Sequence, residues 1–178
     1  EVVLDAHRRL LTNYPNALLI LVPRHPERFN SVFELCQQQG FATVRRSAGE
    51  SVGATTSVLL GDTMGELLFL YALADSAFVG GSLVANGGHN LLEPAALGKP
   101  VLSGPHLFNF LEIAALMRNA SALQEVDDAH GLAVAVQRLF ELPRDAQQMA
   151  EAGLRVMRAN QGALQRLLDG LGRLIDRA

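Results

Sequence analysis

The chain has 178 residues, with 15 basic and 18 acidic side chains and a formal net charge of -3, so no basic excess exists to neutralise the phosphates of a nucleic acid. Hydrophobic residues make up 49% and charged residues 19%, which excludes a disordered chain and suits one domain of ordinary size, residues 1–178. The one cysteine, Cys36, excludes an intramolecular disulfide and a cysteine-rich metal site, no apolar run approaches the ~18 residues of a membrane span, and no signal peptide opens the chain; it reads as soluble and cytosolic.

Taken in order, the periodicity alternates between helical and strand-like segments. A helix near Val2–Leu11 opens the chain with no strand before it, as in a domain cut from something longer. Leu18-Leu19-Ile20-Leu21-Val22, closed by Pro23, reads as a strand buried on both faces. Phe29, Val32, Phe33 and Cys36 recur at helical spacing, with Pro26 suited to the first turn and Gly40 just past the end. Phe41–Arg46 and Ser57–Leu60 read as strands, Met64–Ala74 as a helix and Ser76–Val79 as a short buried strand. Asn90–Leu97 is a predicted helix ended by Gly98 and Pro100, followed by the strand Val101–Ser103. Phe110–Arg118, Ala129–Leu142, Arg144–Ala159 and an amphipathic segment near Ala163–Ile175 complete the helices, with Leu167–Leu174 as a core-facing stripe. Such alternation predicts an α/β fold with a parallel sheet covered by helices on both faces.

Charge is uneven along the chain. Residues 51–120 carry seven charged side chains and nine of the 16 glycines. That composition points to buried strands whose connecting loops approach something closely with bare backbone. In parallel sheets ligands bind outside the carboxyl ends of the strands. The loops singled out are Pro23–Pro26, Gly61–Gly65, Gly80–His89 and Gly104–Asn109.

Each loop has a chemical reading beside a structural one. Arg24 offers a charged fork to an anion at a helix start, or is a surface arginine in a strand-to-helix turn. Asp62 or Thr63 caps the next helix with Glu66 in its first turn, or the turn lines a pocket. Gly80-Gly81-Ser82 presents backbone N–H groups and a hydroxyl suited to phosphate oxygens. Gly87-Gly88-His89-Asn90 opens a segment carrying Glu93, a carboxylate able to accept from both ribose hydroxyls or simply to favour a helix dipole. His89 orients a leaving phosphate or caps the helix.

Several motifs are missing. There is no G-x-G-x-x-G after a strand, no G-x-x-x-x-G-K-[ST], no H-E-x-x-H and no G-x-S-x-G. The five histidines lack ligand-like spacing, so no metal site and no cofactor are expected, and no carboxylate pair marks general acid–base chemistry.

Four ordered segments, Pro23-Arg24-His25-Pro26-Glu27-Arg28-Phe29, Gly61-Asp62-Thr63-Met64-Gly65-Glu66-Leu67, Gly80-Gly81-Ser82 and Gly87-Gly88-His89-Asn90-Leu91-Leu92-Glu93-Pro94, resemble the bacterial Kdo transferases, as does Gly104-Pro105-His106 with Asn109-Phe110. These enzymes transfer 3-deoxy-D-manno-octulosonic acid (Kdo) from CMP-Kdo to a lipid A precursor in lipopolysaccharide biosynthesis. The resemblance spans nearly the whole chain but only the carboxyl-terminal half of the family's GT-B architecture, a pair of Rossmann-like domains facing a cleft. It implies that Arg24 lies near the donor's phosphate or carboxylate, and that Gly61, Asp62, Thr63, Met64, Gly65 and Glu66 line the cytidine pocket. It implies phosphate contacts from Gly81 and Ser82, and phosphate and ribose contacts from Asn90 and Glu93, with His89 in the same donor set. The family's proposed base, a glutamate, and its membrane-associating segment belong to an amino-terminal acceptor domain absent from these 178 residues, and the first strand of the carboxyl-terminal domain, with its own glycine-containing loop, is expected to end just before Glu1. The parent enzyme would then work at the cytoplasmic face of the bacterial inner membrane, and this fragment would be soluble and inactive alone. Two other readings stand beside this one: the nucleotide domain of another GT-B transferase or epimerase using UDP, and a non-catalytic interaction module.

Overall fold

A computed structural model describes residues 1–175, with side chains described as far as Asn160. The elements run α1 (Val2–Asn13), β1 (Leu19–Leu21), α2 (Phe29–Gln38), β2 (Thr43–Arg45), β3 (Val58–Leu60), α3 (Leu67–Leu73), β4 (Ala77–Val79), α4 (Leu92–Ala96), β5 (Val101–Ser103), α5 (Leu111–Asn119), β6 (Leu123–Glu125), α6 (Ala129–Glu141) and α7 (Pro143–Ile175). Single 3-10 turns, Pro26–Arg28 and Phe108–Phe110, lead into α2 and α5. The six strands form two three-stranded parallel sheets with helices around them, ordered β1-β3-β2 and β4-β5-β6. The chain correspondingly divides into two compact units, Glu1–Asp75 with Val126–Glu141, and Ser76–Glu125 with the chain from Leu142.

In the first unit β3 is the central strand, paired with β1 and β2, and all three of its residues are buried. Leu4 of α1, Val32 and Cys36 of α2, and Phe41 close over Val58 and Leu60. Cys36 is fully buried, and that burial pushes its thiol pKa up, against weaker hydrogen bonding from Thr43. α1 is fastened by His7, whose Nε2–H donates to the Ser57 carbonyl at 2.8 Å while the ring stacks on Phe41 at 5.7 Å. Burial lowers the His7 pKa, partly opposed by that hydrogen bond. α6 returns from the other unit to pack on α1, where Asn13 donates to Gln137 and Tyr14 meets Phe140 edge-on.

In the second unit β5 is central and wholly buried. Leu91, Ala95, Met117 and Ala122 surround Val79 and Val101, and α7 contributes Ala152 and Val156. α7 approaches α4 closely because Gly153 faces Ala95: a Cβ there would sit 3.3 Å from the Ala95 methyl.

The structure departs from the sequence reading in five places. β1 is half-buried rather than enclosed, because its ladder runs to β3 alone among the described residues. α3 begins at Leu67, not Met64, because Gly65 has φ +81° and Thr63 and Glu66 turn towards each other ahead of the helix. α4 begins at Leu92, because the Asn90 side chain accepts from the Leu92 N–H and so stands outside the helix. β6, Leu-Gln-Glu, was not expected: a three-residue edge strand with two polar residues has no apolar run to announce it. α7 takes in both of the last two predicted helices, and the stripe Leu167–Leu174 lies outside the described side chains.

Candidate functional site

Parallel pairing places the loops after β1 and β3 at one edge of the first sheet, since Leu21 is in register with Leu60. Arg24 is exposed in the first of these loops. Gly61 opens the second in a crowded position: a Cβ would lie 2.7 Å from a Leu70 methyl and 2.9 Å from a Val22 methyl, so those side chains would have to shift. The turn that follows is held largely by the end of β2 and the two residues after it. The Asp62 carboxylate, fully buried, accepts from Arg45 Nε at 2.6 Å and from the Ser47 backbone N–H at 2.8 Å and the Ser47 hydroxyl. Burial alone would raise the Asp62 pKa, but the Ser47 hydrogen bonds and then Arg45 outweigh it, leaving the carboxyl below its ordinary value. Glu66 accepts from the Thr63 hydroxyl on one oxygen and from Arg46 Nη2, at 2.8 Å, on the other. Those two contacts, the hydroxyl first, lower its pKa too.

With its acids gripped from behind, the turn shows the solvent Met64, 70% exposed, and the left-handed backbone of Gly65. Asp62 therefore has a structural role in place and does not cap α3. Leu68, Phe69 and Leu73 continue an exposed apolar face along that helix.

In the second unit the expected residues gather at the carboxyl ends of β4 and β5. Ser82 is fully buried; its hydroxyl donates to the Val79 carbonyl and accepts from the Gly104 N–H, both at 2.7 Å. The hydroxyl expected on a phosphate thus already bridges the ends of two strands. Gly81, at φ +71°, lies against the His89 ring, 3.1 Å from Nε2 to where a Cβ would stand. The Gly88 N–H donates to the Gly81 carbonyl at 2.8 Å, folding the two glycine-rich stretches together. Gly87 is equally constrained, since a Cβ would overlap the Asn109 side chain. Asn90 is the hinge of the loop: its Oδ1 accepts from the Leu92 N–H at 3.0 Å and its Nδ2 donates to Glu93 Oε1 at 3.2 Å.

Bare backbone, a histidine ring and a paired amide and carboxylate therefore stand together at one sheet edge. That set suits a phosphate and a diol, because N–H groups favour an anion and a carboxylate accepts two hydroxyls. Arg45, Arg46 and Ser47 escaped the sequence reading as site residues, although two consecutive arginines at a strand end, just before the charge-poor stretch, were a visible signal.

No family model matches the chain. It is similar to the 3-deoxy-D-manno-octulosonic acid transferase of Haemophilus influenzae, 48% identical over 178 residues, which take in 99% of this chain and 42% of that protein. The Bordetella pertussis protein of the same name is 45% identical over 170 residues, 94% of this chain and 39% of its own length. The chain thus spans less than half the length of these curated relatives. Among solved structures, the C-terminal CMP-Kdo binding domain of WaaA from Acinetobacter baumannii matches with a TM-score of 0.83 and 40% identity, over 87% of this chain and 81% of that one. The sequence motifs, the paired parallel sheets and these relatives agree, and the chain belongs to the 3-deoxy-D-manno-octulosonic acid transferase family, matching the fold of its carboxyl-terminal GT-B domain.

Proposed function

We propose that the chain is the donor-binding domain of a Kdo transferase, taking CMP-Kdo and serving a parent enzyme that passes Kdo to a lipid A precursor. The observation that carries this reading is the 40% identity and TM-score of 0.83 to a CMP-Kdo binding domain. Relatives of the same name favour it over a UDP-using enzyme or a module without a site. In this proposal residues 1–178 act as one donor-binding domain. The remaining length of the parent supplies the acceptor site, the base and attachment to the cytoplasmic face of the inner membrane.

The chemistry follows from the leaving group. CMP departs with its phosphate charge, so the site must offset negative charge with preorganised donors. Arg24 supplies an exposed positive fork, and the glycine-rich backbone around Gly81 and Gly88 supplies N–H groups, with His89 beside them. Ser82 supports that backbone from beneath. Glu93, oriented by Asn90, accepts from the ribose hydroxyls. The backbone of Thr63, Met64, Gly65 and Glu66 reads the cytosine, while Gly61 and Asp62 hold the turn in place.

Calorimetric or NMR titration with CMP and UMP tests the proposal. Saturable CMP binding that is stronger than UMP binding is expected. Equal or stronger binding of UMP would transfer the chain to the UDP-using class, and binding of neither would favour the interaction module.

A further inference from the structure

The end of β2 reaches across to the loop after β3 with two consecutive arginines, each holding one acid of that loop. Register explains the reach. Arg45 pairs with Leu60, and the Arg46 N–H donates to the Leu60 carbonyl at 2.9 Å, so both guanidinium groups begin beside the point where the loop leaves the sheet.

The two pairs differ in kind. Asp62 is fully enclosed, and taking away Arg45 would strand a buried charge. Arg46 and Glu66 are each about one third to two fifths exposed, so their pairing adds little to folding. Yet Glu66 is fixed at both carboxylate oxygens, by Thr63 from its own turn and by Arg46 from the neighbouring strand. Glu66 is also the residue on which α3 starts, its carbonyl accepting from the Leu70 N–H at 3.0 Å. Arg46 further lies over the Phe69 ring, 5.9 Å from its centroid. Its Nε is buried without a hydrogen-bond partner among the described residues, a cost that a merely decorative surface arginine would avoid by turning outward.

A grip of this strength on a weakly stabilising pair is explained if the conformation of the turn, rather than its stability, is what matters. We propose that Arg46 is a positioning residue for donor recognition, clamping Glu66 so that the Thr63–Glu66 turn presents its backbone and Met64 to the pyrimidine of the donor. The proposal deepens the donor-binding reading and rests on it. Arg46 itself touches no part of the donor; it acts through Glu66.

The test uses the chain with CMP and UMP as probes. Arg46→Met keeps the aliphatic stem and removes the guanidinium; Thr63→Val removes the other partner of Glu66. Each is expected to weaken CMP binding by about tenfold, the scale of one charge-assisted contact, and to narrow the preference for CMP over UMP. Thermal unfolding of Arg46→Met should stay close to that of the unsubstituted chain, and Arg46→Lys should recover part of the lost affinity. Removing Arg46 should also let Glu66 take up its proton at higher pH, moving the acid limb of CMP binding upward. Unchanged affinity and unchanged CMP-to-UMP preference in both variants would overturn the proposal, as would loss of the fold in both. If the unsubstituted chain binds no CMP, or prefers UMP, it is the donor-binding reading that fails instead.

Discussion

The Ser82 hydroxyl accepts a hydrogen bond from the Gly104 backbone N–H at 2.7 Å, joining the loop after β4 to the loop after β5. The junction is dense as well as bonded: a Cβ on Gly104 would overlap the Ser82 carbonyl, which in turn accepts from the His106 N–H at 2.9 Å. Ser82→Ala leaves a buried N–H without a partner and should cost ~1–3 kcal/mol of stability. Denaturant unfolding measures the loss. A variant as stable as the unsubstituted chain would show that the hydroxyl does not brace these strands.

Glu93→Ala should leave the fold intact and weaken CMP binding. Glu93 is held by Asn90 at the surface of the second unit rather than buried in its core, so its loss removes a ligand contact more than a structural one. A charged acceptor serving hydroxyls is worth about 1.5–3 kcal/mol, or ten- to a hundredfold in affinity. An unaltered dissociation constant for CMP would remove Glu93 from the site.

His7 makes stability depend on pH near neutrality. Its folded pKa lies below the ordinary value near 6.5, so the unfolded chain binds the proton more readily. The contribution is therefore complete above pH ~6.5 and declines as pH falls through that value towards the lower folded pKa. Urea midpoints between pH 7.5 and 5.5 should decrease for the native sequence and decrease less for His7→Gln. Identical slopes for the two would assign the pH dependence to other groups.

The 178 residues alone should bind CMP and transfer no Kdo. The site carboxylates are already engaged, Asp62 by Arg45 and Ser47, Glu66 by Arg46 and Thr63, and Glu93 by Asn90, so none is placed to take a proton from an acceptor hydroxyl. General-base assistance is worth ~100- to 10,000-fold, and a positioned acceptor contributes up to ~7–11 kcal/mol more. Incubation with CMP-Kdo and a lipid A precursor, followed by mass spectrometry of the lipid, is decisive. Product above a no-protein control would put a working base within these residues.

Much of this arrangement was legible in the sequence, for identifiable reasons. Val101–Ser103 was delimited to the residue because Pro100 and Gly104 bracket the short segment Val-Leu-Ser. The loops after the strands stood out because glycines cluster where charge is sparse. What stayed hidden was long-range. Nothing local to Ser82 announces that Gly104, 22 residues on, will occupy its hydroxyl. The distant partners of Asp62 and Glu66, namely Arg45, Arg46 and Ser47, lie at the end of β2 and just beyond it, separated by the whole of Ala48–Ser57, and only strand register brings them together. The starts of α3 and α4 were misplaced for a related reason. Thr63, Glu66 and Asn90 spend their side chains on one another or on nearby backbone, a competition that helical periodicity does not record.

Cys36 gives the chain a practical property. With its sulfur enclosed beneath α1 and β3 and its thiol disinclined to ionise, it meets both conditions for inertness towards alkylating reagents. The folded protein thus behaves as though it had no cysteine at all, and a thiol engineered at exposed Arg24 or Met64 would be the sole labelling point. A fluorophore attached there would report nucleotide arrival at the first sheet without any need to remove the native residue.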